Sequence, residues 1–184
     1  MQNAIFLLLG SVAVFVAWFL ATFNRGVRLR QNIVESRANI DVQLKRRHDL
    51  VPNLVAVCKG YASHEQAVFE SISAARANAI ESLAHHETGY ETEAQLVSAM
   101  NRLVALVEAY PQIKADSQFL ALQKELVNTE DRIAAARRFF NANCRGWNVL
   151  RESFPSSLVV KGPEAFYYEV EGVDLVPVID LNRS

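Results

Sequence analysis

No charged side chain occurs among the first 24 residues, and Arg25, Arg28 and Arg30 then arrive together. From Ala4 to Phe23 the run is almost purely apolar, with twelve Leu, Ile, Val and Phe residues. A helix rising about 1.5 Å per residue needs roughly 20 such residues to cross a hydrocarbon core. Each of the twelve contributes roughly −0.3 to −0.6 kcal/mol on an insertion scale, so the run is expected to insert without help from a partner. A removable signal peptide wants a basic start, an apolar centre of about 7–15 residues and a small-x-small site behind it. Here the start lacks Lys and Arg, and bulky Trp18, Phe19, Leu20 and Phe23 close the run. The expectation is a retained single-pass anchor over residues 1–24. The three arginines behind it bias the following chain toward the cytoplasm, with the N-terminus outside.

About 160 residues follow, enough for one domain with its own core. The net charge of −1 hides an asymmetry: residues 25–60 hold eight Lys/Arg against Glu35, Asp41 and Asp49, and the remainder is acidic in compensation. Complementary halves suggest contact with each other, and the missing basic excess argues against a nucleic-acid partner. Cys58 and Cys144 have no metal-like spacing and read as small core residues, reduced in a cytoplasmic domain.

Periodicity from Val27 onward is helical. Phe119, Leu122, Leu126, Thr129, Ile133, Ala136, Phe140, Asn143, Trp147, Leu150 and Phe154 recur at steps of three and four, one stripe of a long helix. Asp116 or Ser117 could cap its start, and Pro155 lies beyond its end. Thr129 and Asn143 interrupt the apolar seam and are expected to fix register. A second stripe, Ile33, Ile40, Leu44, Val51, Leu54 and Cys58, runs straight out of the anchor, with Arg37 and Arg47 filling its missing turns. Pro52 should kink this helix rather than start a new one at Asp49. Gly60 and Tyr61 end it, and Ser63 with Gln66 resembles a capping box. Val68, Phe69, Ile72, Ala75, Ala79, Ile80 and Leu83 mark a helix from about Ser63 to Ala84. Leu96, Met100, Leu103, Val107 and Tyr110 mark another from about Glu91 to Glu108, with a polar turn at 85–90 between them. The expected fold class is all-α: an N-terminal transmembrane helix followed by an antiparallel bundle of about four helices over residues 25–158. Beyond it, residues 159–184 read as an extended or flexible acidic tail that offers Phe166, Tyr167 and Tyr168 to a partner.

The stretches Ile40-Asp-Val-Gln-Leu-Lys-Arg-Arg-His-Asp-Leu-Val-Pro-Asn-Leu-Val55 and Lys59-Gly-Tyr-Ala-Ser-His-Glu65 resemble the signature of the LemA family. So do Glu108-Ala-Tyr-Pro111, Leu122-Gln-Lys-Glu-Leu-Val-Asn-Thr-Glu-Asp-Arg-Ile-Ala-Ala-Ala-Arg-Arg-Phe-Phe-Asn141 and Phe154-Pro155. The resemblance covers nearly the whole chain, with Asp131 and Trp147 departing from the Asn and Tyr of the pattern. It implies a bacterial inner-membrane or plasma-membrane protein with a helical bundle. It supplies no catalytic site or ligand. Members are associated with envelope processes and, in one branch, with magnetosome membrane formation.

Within the matched segments, Asp41, Arg46, Arg47, Asp49, Glu125, Glu130, Arg137 and Arg138, together with Asp131, are the candidate interhelical polar cluster. Its plainest role is ion pairing that sets helix order; the sharper alternative is binding of an ion or a small anionic ligand. Catalytic constellations are missing. Carboxylate di-metal bundles use Glu-x-x-His, yet Lys45, Tyr61, Ser82 and Leu83 stand three residues before His48, His64, His85 and His86. No zincin pair, nucleophile elbow, phosphate loop or Cys-x-x-Cys occurs. The chain is therefore expected to be no enzyme and to need no cofactor or metal. Its expected partners are the lipid bilayer and a membrane or cytoplasmic protein, or a second copy of itself. Three roles remain: scaffold or adaptor, self-assembling membrane-remodelling protein, and ion- or ligand-sensing bundle accessory to transport.

Overall fold

Apolar residues at three- and four-residue steps can share one buried face only if the chain coils. The computed structural model describes residues 2–85 and 90–168, and no strand occurs among them. Five α-helices follow in order: α1 Gln2–Tyr61, α2 Gln66–Ala84, α3 Tyr90–Ala109, α4 Pro111–Lys114 and α5 Ser117–Glu152, then a 3-10 turn at Ser156–Leu158. The chain is all-α, with a long apolar N-terminal helix leading into a helical bundle.

Local chemistry explains most helix ends. α1 runs through Pro52 without a break and stops at Tyr61, just after Gly60. α5 is capped by Asp116, whose Oδ1 accepts the Phe119 N–H at 2.8 Å. The expected capping box at Ser63 is not used. Ala62 is buried in the core and its carbonyl accepts the Glu65 N–H at 3.0 Å, so Ser63 and His64 form a turn and α2 opens at Gln66. Pro111, expected only to close a helix, instead opens the one-turn α4, where its missing N–H costs nothing.

Two compact units draw on these helices, and their limits fall inside α1 and α5 rather than in loops. One comprises the described residues of 39–135. Its core gathers Val51, Leu54 and Cys58 from α1, Phe69 and Ile72 from α2, Leu96, Met100 and Val107 from α3, Ile113 from α4, and Phe119 and Leu126 from α5. Each large apolar side chain withdrawn there contributes about 1.5–3 kcal/mol. Ile80, expected on the buried stripe of α2, is 38% exposed, and Ser82 is buried instead.

The other unit comprises residues 2–38 and 136–168. Trp147, Leu150 and Val160 form its small core, with Leu29, Ile33, Val159 and Ala165 packed against them. Close approach demands small residues: a Cβ at Gly162 would lie 2.8 Å from Trp147 Cζ2, and one at Gly26 would lie 3.1 Å from Val160 Cγ2. Phe154, expected on the buried stripe, lies beyond the end of α5 and is 81% exposed. Asn143 Nδ2 donates to Ser36 Oγ at 3.4 Å, a polar link between α5 and α1. Thr129, in the 39–135 unit, donates to the Glu125 carbonyl of its own helix and makes no interhelical hydrogen bond among the described residues.

Residues 159–168 are not free of the bundle. Asn141 exchanges two hydrogen bonds with the Tyr168 backbone, at 3.1 and 2.7 Å, and Asn148 exchanges two with Ala165, both at 2.9 Å. Between them, Cys144 Sγ faces the Phe166 carbonyl at 3.5 Å and Trp147 Nε1 donates to the Pro163 carbonyl at 2.9 Å. Seven helical residues rise about 10 Å, as do three extended ones, so two asparagines two turns apart match the repeat of an extended strap. Tyr168, expected to be offered to a partner, is buried at 4% exposure, with the Arg37 and Arg137 guanidiniums 5.5 and 4.9 Å from its ring centre. Residues 169–184, the rest of the expected tail, and 86–89 of the expected turn lie outside the described residues.

Candidate functional site

α1 carries an arginine into the core of the 39–135 unit. Arg47 follows Leu44 and precedes Val51 on the buried side of the helix, and its side chain is 1% exposed. A charge there survives only if it is paired and hydrogen-bonded. Its Nη1 donates to both carboxylate oxygens of Glu130 on α5, at 3.0 and 3.2 Å, and its Nη2 donates to Glu93 Oε2 on α3. The other oxygen of Glu93 meets His48 Nε2 at 2.9 Å. Arg47 Nε is buried with no hydrogen-bond partner among the described residues.

Burial alone would lower the Arg47 pKa, but the charges and hydrogen bonds of Glu130 and Glu93 outweigh it and the net shift is upward. Burial likewise pushes Glu93 up. The His48 hydrogen bond and the Arg47 charge reverse that and leave it below the usual carboxylate range. Glu93 also sits in the first turn of α3, where the helix dipole favours an anion.

α2 joins through a backbone defect. Pro52 has no N–H, so the His48 carbonyl four residues earlier loses its helical donor. Arg76 Nε supplies the missing hydrogen bond at 2.6 Å. Four helices are thereby tied around two adjacent residues of α1.

The sequence-derived cluster divides. Arg46 and Glu125 meet at 2.5 Å, with side chains 41% and 50% exposed, a surface pair of small energetic weight. Arg47 and Glu130 meet inside. Asp49 is exposed and Asp41 half-buried on the same α1 segment, and Asp131 is exposed on α5. Arg137 and Arg138 belong to the other unit, Arg137 over the Tyr168 ring and Arg138 exposed. The sequence reading missed Glu93, His48 and Arg76. Glu93 had a legible signal: it stands three residues before Leu96, on the stripe that continues to Met100, Leu103 and Val107. His48 likewise falls four after Leu44 and three before Val51.

All four carboxylate oxygens of Glu93 and Glu130 are engaged by Arg47 or His48. No group of three or more His, Cys, Asp or Glu that could hold a metal occurs among the described residues. A narrow cleft of about 30 Å³, lined by Val51, Leu54, Met100, Leu103, Val107 and Phe119 among others, has almost no polar wall. Water has few partners in such a space. The arrangement ties the helices of this unit together.

Residues 5–16 of α1 are exposed throughout, and no residue of its most apolar window is buried. By length and composition this helix can cross a membrane. Among known proteins, the chain is similar to Magnetosome protein MamQ of Magnetospirillum gryphiswaldense, 27% identical over 171 aligned positions that cover 79% of this chain and 62% of that protein. It is also similar to Magnetosome proteins MamQ 1 and MamQ 2 of Paramagnetospirillum magneticum, each 26% identical over 198 positions covering 92% of this chain and 72% of the relative. The chain thus spans less than two thirds of the length of the first of these relatives. With its apolar helix and these likenesses it is a membrane-associated protein. The LemA family model matches residues 36–174, the helical core and both sides of the Arg47 cluster, and the chain belongs to the LemA family.

Proposed function

We propose that this protein is a single-pass, non-catalytic scaffold or adaptor of the bacterial cell envelope, fastened by residues 1–24 to the inner or plasma membrane with its bundle in the cytoplasm. The observation that carries this reading is α1, one helix from Gln2 to Tyr61 whose first part is apolar and exposed and whose last part bears Arg47 and His48. Every carboxylate oxygen of the cluster already meets Arg47 or His48 of the same chain, which favours a structural role for the cluster over a ligand site. The bundle then acts through its outer faces.

Crosslinking in native membranes followed by mass spectrometry tests the reading. A reproducible protein partner is the expected result; recovery of lipids and abundant bystanders alone would overturn it. A second reading is self-association into a membrane-remodelling assembly. The exposed Phe139 and Val149 on α5, at 57% and 55%, favour it. Crosslinks between copies of this chain through that face, and a large particle after gentle detergent extraction, would select it over the adaptor. Ion or ligand sensing is the weakest of the three, and melting points unmoved by divalent cations, phosphate compounds and nucleotides would remove it.

A further inference from the structure

The unit built from residues 2–38 and 136–168 exposes two large apolar side chains at one turn. Phe154 is 81% exposed and Leu158 is 68% exposed, both just past the end of α5. The turn itself is well built: Ser157 N–H donates to the Ser153 carbonyl at 2.7 Å, Leu158 N–H to Pro155 at 3.1 Å and Val160 N–H to Ser156 at 2.9 Å. These bonds fix the backbone that carries both side chains.

Their level along α1 can be read from contacts inside this unit. Asn143 meets Ser36, Trp147 meets Arg30 and Gly146 meets Leu29, so α5 descends along α1 toward its N-terminal part. Val160, two residues after Leu158, packs on Gly26. Continuing the same register by one or two turns brings the 153–158 turn level with residues 22–26 of α1. Within the apolar run Thr22 is buried at 9% exposure and Trp18 is half-buried, while the rest of the described run is exposed. Residues 22–26 are where that run ends at Phe23 and charge begins at Arg25. This is the depth at which a crossing helix passes from hydrocarbon to headgroups.

From this juxtaposition we infer that the 153–158 turn is a second membrane contact, with Phe154 and Leu158 seated in the headgroup–acyl boundary of the leaflet that α1 leaves. The occupant of this patch is lipid because the packing of Val160 on Gly26 holds the turn beside the point where the exposed apolar run of α1 ends. Charge complements it. Arg25 and Arg28 flank Gly26 in sequence, Lys161 follows Val160, and all three are exposed, while the acids Glu152 and Glu164 lie 2.7 and 3.9 Å from Arg151. Basic groups beside inserted apolar side chains suit an anionic leaflet. Fastened at two points, α1 and the end of α5 would have a fixed tilt and rotation at the surface.

The inference rests on the membrane-spanning reading of α1, and the test separates the two. Single cysteines are introduced as Phe154→Cys and Leu158→Cys in the full-length chain, labelled with a nitroxide and reconstituted into phosphatidylcholine–phosphatidylglycerol vesicles. The native Cys58 and Cys144 are buried and give the background in the unsubstituted protein. Val14→Cys reports the middle of the span, and Phe139→Cys, about 22 Å along α5 from the turn, reports water. Labels at 154 and 158 should collide several-fold more with oxygen, relative to a nickel chelate, than the label at 139. If 14 reads lipid while 154 and 158 match 139, the second contact is wrong and the span stands. If 14 also reads water, the span fails and the contact with it. Spin–spin broadening between labels at 154 would mean a protein covers the patch and would overturn the lipid assignment.

Discussion

The two units hide polar groups by opposite means. Around Arg47, full charges are sunk among apolar side chains and hold three helices through guanidinium–carboxylate and imidazole–carboxylate bonds. Along residues 163–168, neutral amides of Asn141 and Asn148 satisfy the backbone of an extended segment one residue at a time. The first arrangement is strongly coupled: removing one member strands another in low dielectric. The second is modular, because each asparagine serves its own backbone position. The difference teaches that the 39–135 unit should fail as a whole and the strap should peel in steps.

The sharpest way to break the comparison is Arg47→Ala. It leaves Glu93 and Glu130 buried without their cation and is expected to destabilise by about 3–5 kcal/mol. Hydrogen exchange should then accelerate throughout α3, while the Tyr168 amide keeps its protection. The companion variant Arg47→Met with Glu93→Leu and Glu130→Leu removes the whole ionic set. It should recover much of the loss, because a well-packed apolar replacement of a buried ion network is often neutral or better. A triple variant as unstable as Arg47→Ala would show that the ions stabilise beyond their mutual compensation.

Acid should act on the same unit. Glu93 has a folded pKa below its ordinary value of 4.5, so its contribution is complete above that pH and drains away as pH falls through the lower folded value. Melting followed by circular dichroism should show stability falling below 4.5, and Glu93→Gln should flatten that slope while lowering the plateau above it. A variant with an unchanged slope would assign the acid sensitivity elsewhere, with Asp116 at the α5 cap the next carboxylate to test, since the Phe119 N–H and the Tyr61 hydroxyl hold its pKa down.

Arg76 gives a smaller and more specific effect. Its bond to the carbonyl orphaned by Pro52 involves a charged donor, and Arg76→Leu should cost about 1.5–3 kcal/mol. In a Pro52→Ala background the restored backbone N–H can take over, and the same change should cost markedly less. Equal costs in both backgrounds would break the link between the proline and the arginine. Below this in size stands Asn148→Ala, which removes two neutral hydrogen bonds at about 0.5–1.5 kcal/mol each. It should speed tryptic cleavage after the exposed Lys161 and exchange at Ala165, with α3 unaffected.

Much of this architecture is legible from spacing. The stripes of α1, α3 and α5 name their buried residues, and Asp116 is one of the two residues that the spacing offers as the α5 cap. What stays illegible depends on partners distant in sequence. Glu93 stands on a visible stripe, but nothing nearby says that an arginine 46 residues earlier will meet it. The strap is harder still, because asparagines at 141 and 148 look like ordinary polar positions until an extended segment lies beside them. Phe154 continues a perfect three/four count past the point where the helix has stopped, and periodicity alone has no term for that end.

Thr129 offers the smallest predicted effect and the cleanest contrast with Arg47, since both are fully buried polar residues of one unit. Its hydroxyl bonds the Glu125 carbonyl at 2.8 Å, an acceptor the helix already supplies with a donor. Thr129→Val keeps the shape and removes a bond internal to one helix, so stability should move by less than about 1 kcal/mol. Helix register, read from the distance between spin labels on exposed positions of α1 and α5 within that unit, should not move. A loss comparable to that of Arg47→Ala, or a shifted distance, would mean that the hydroxyl sets register after all and that burial of polarity in this unit is specific at every position, charged or not.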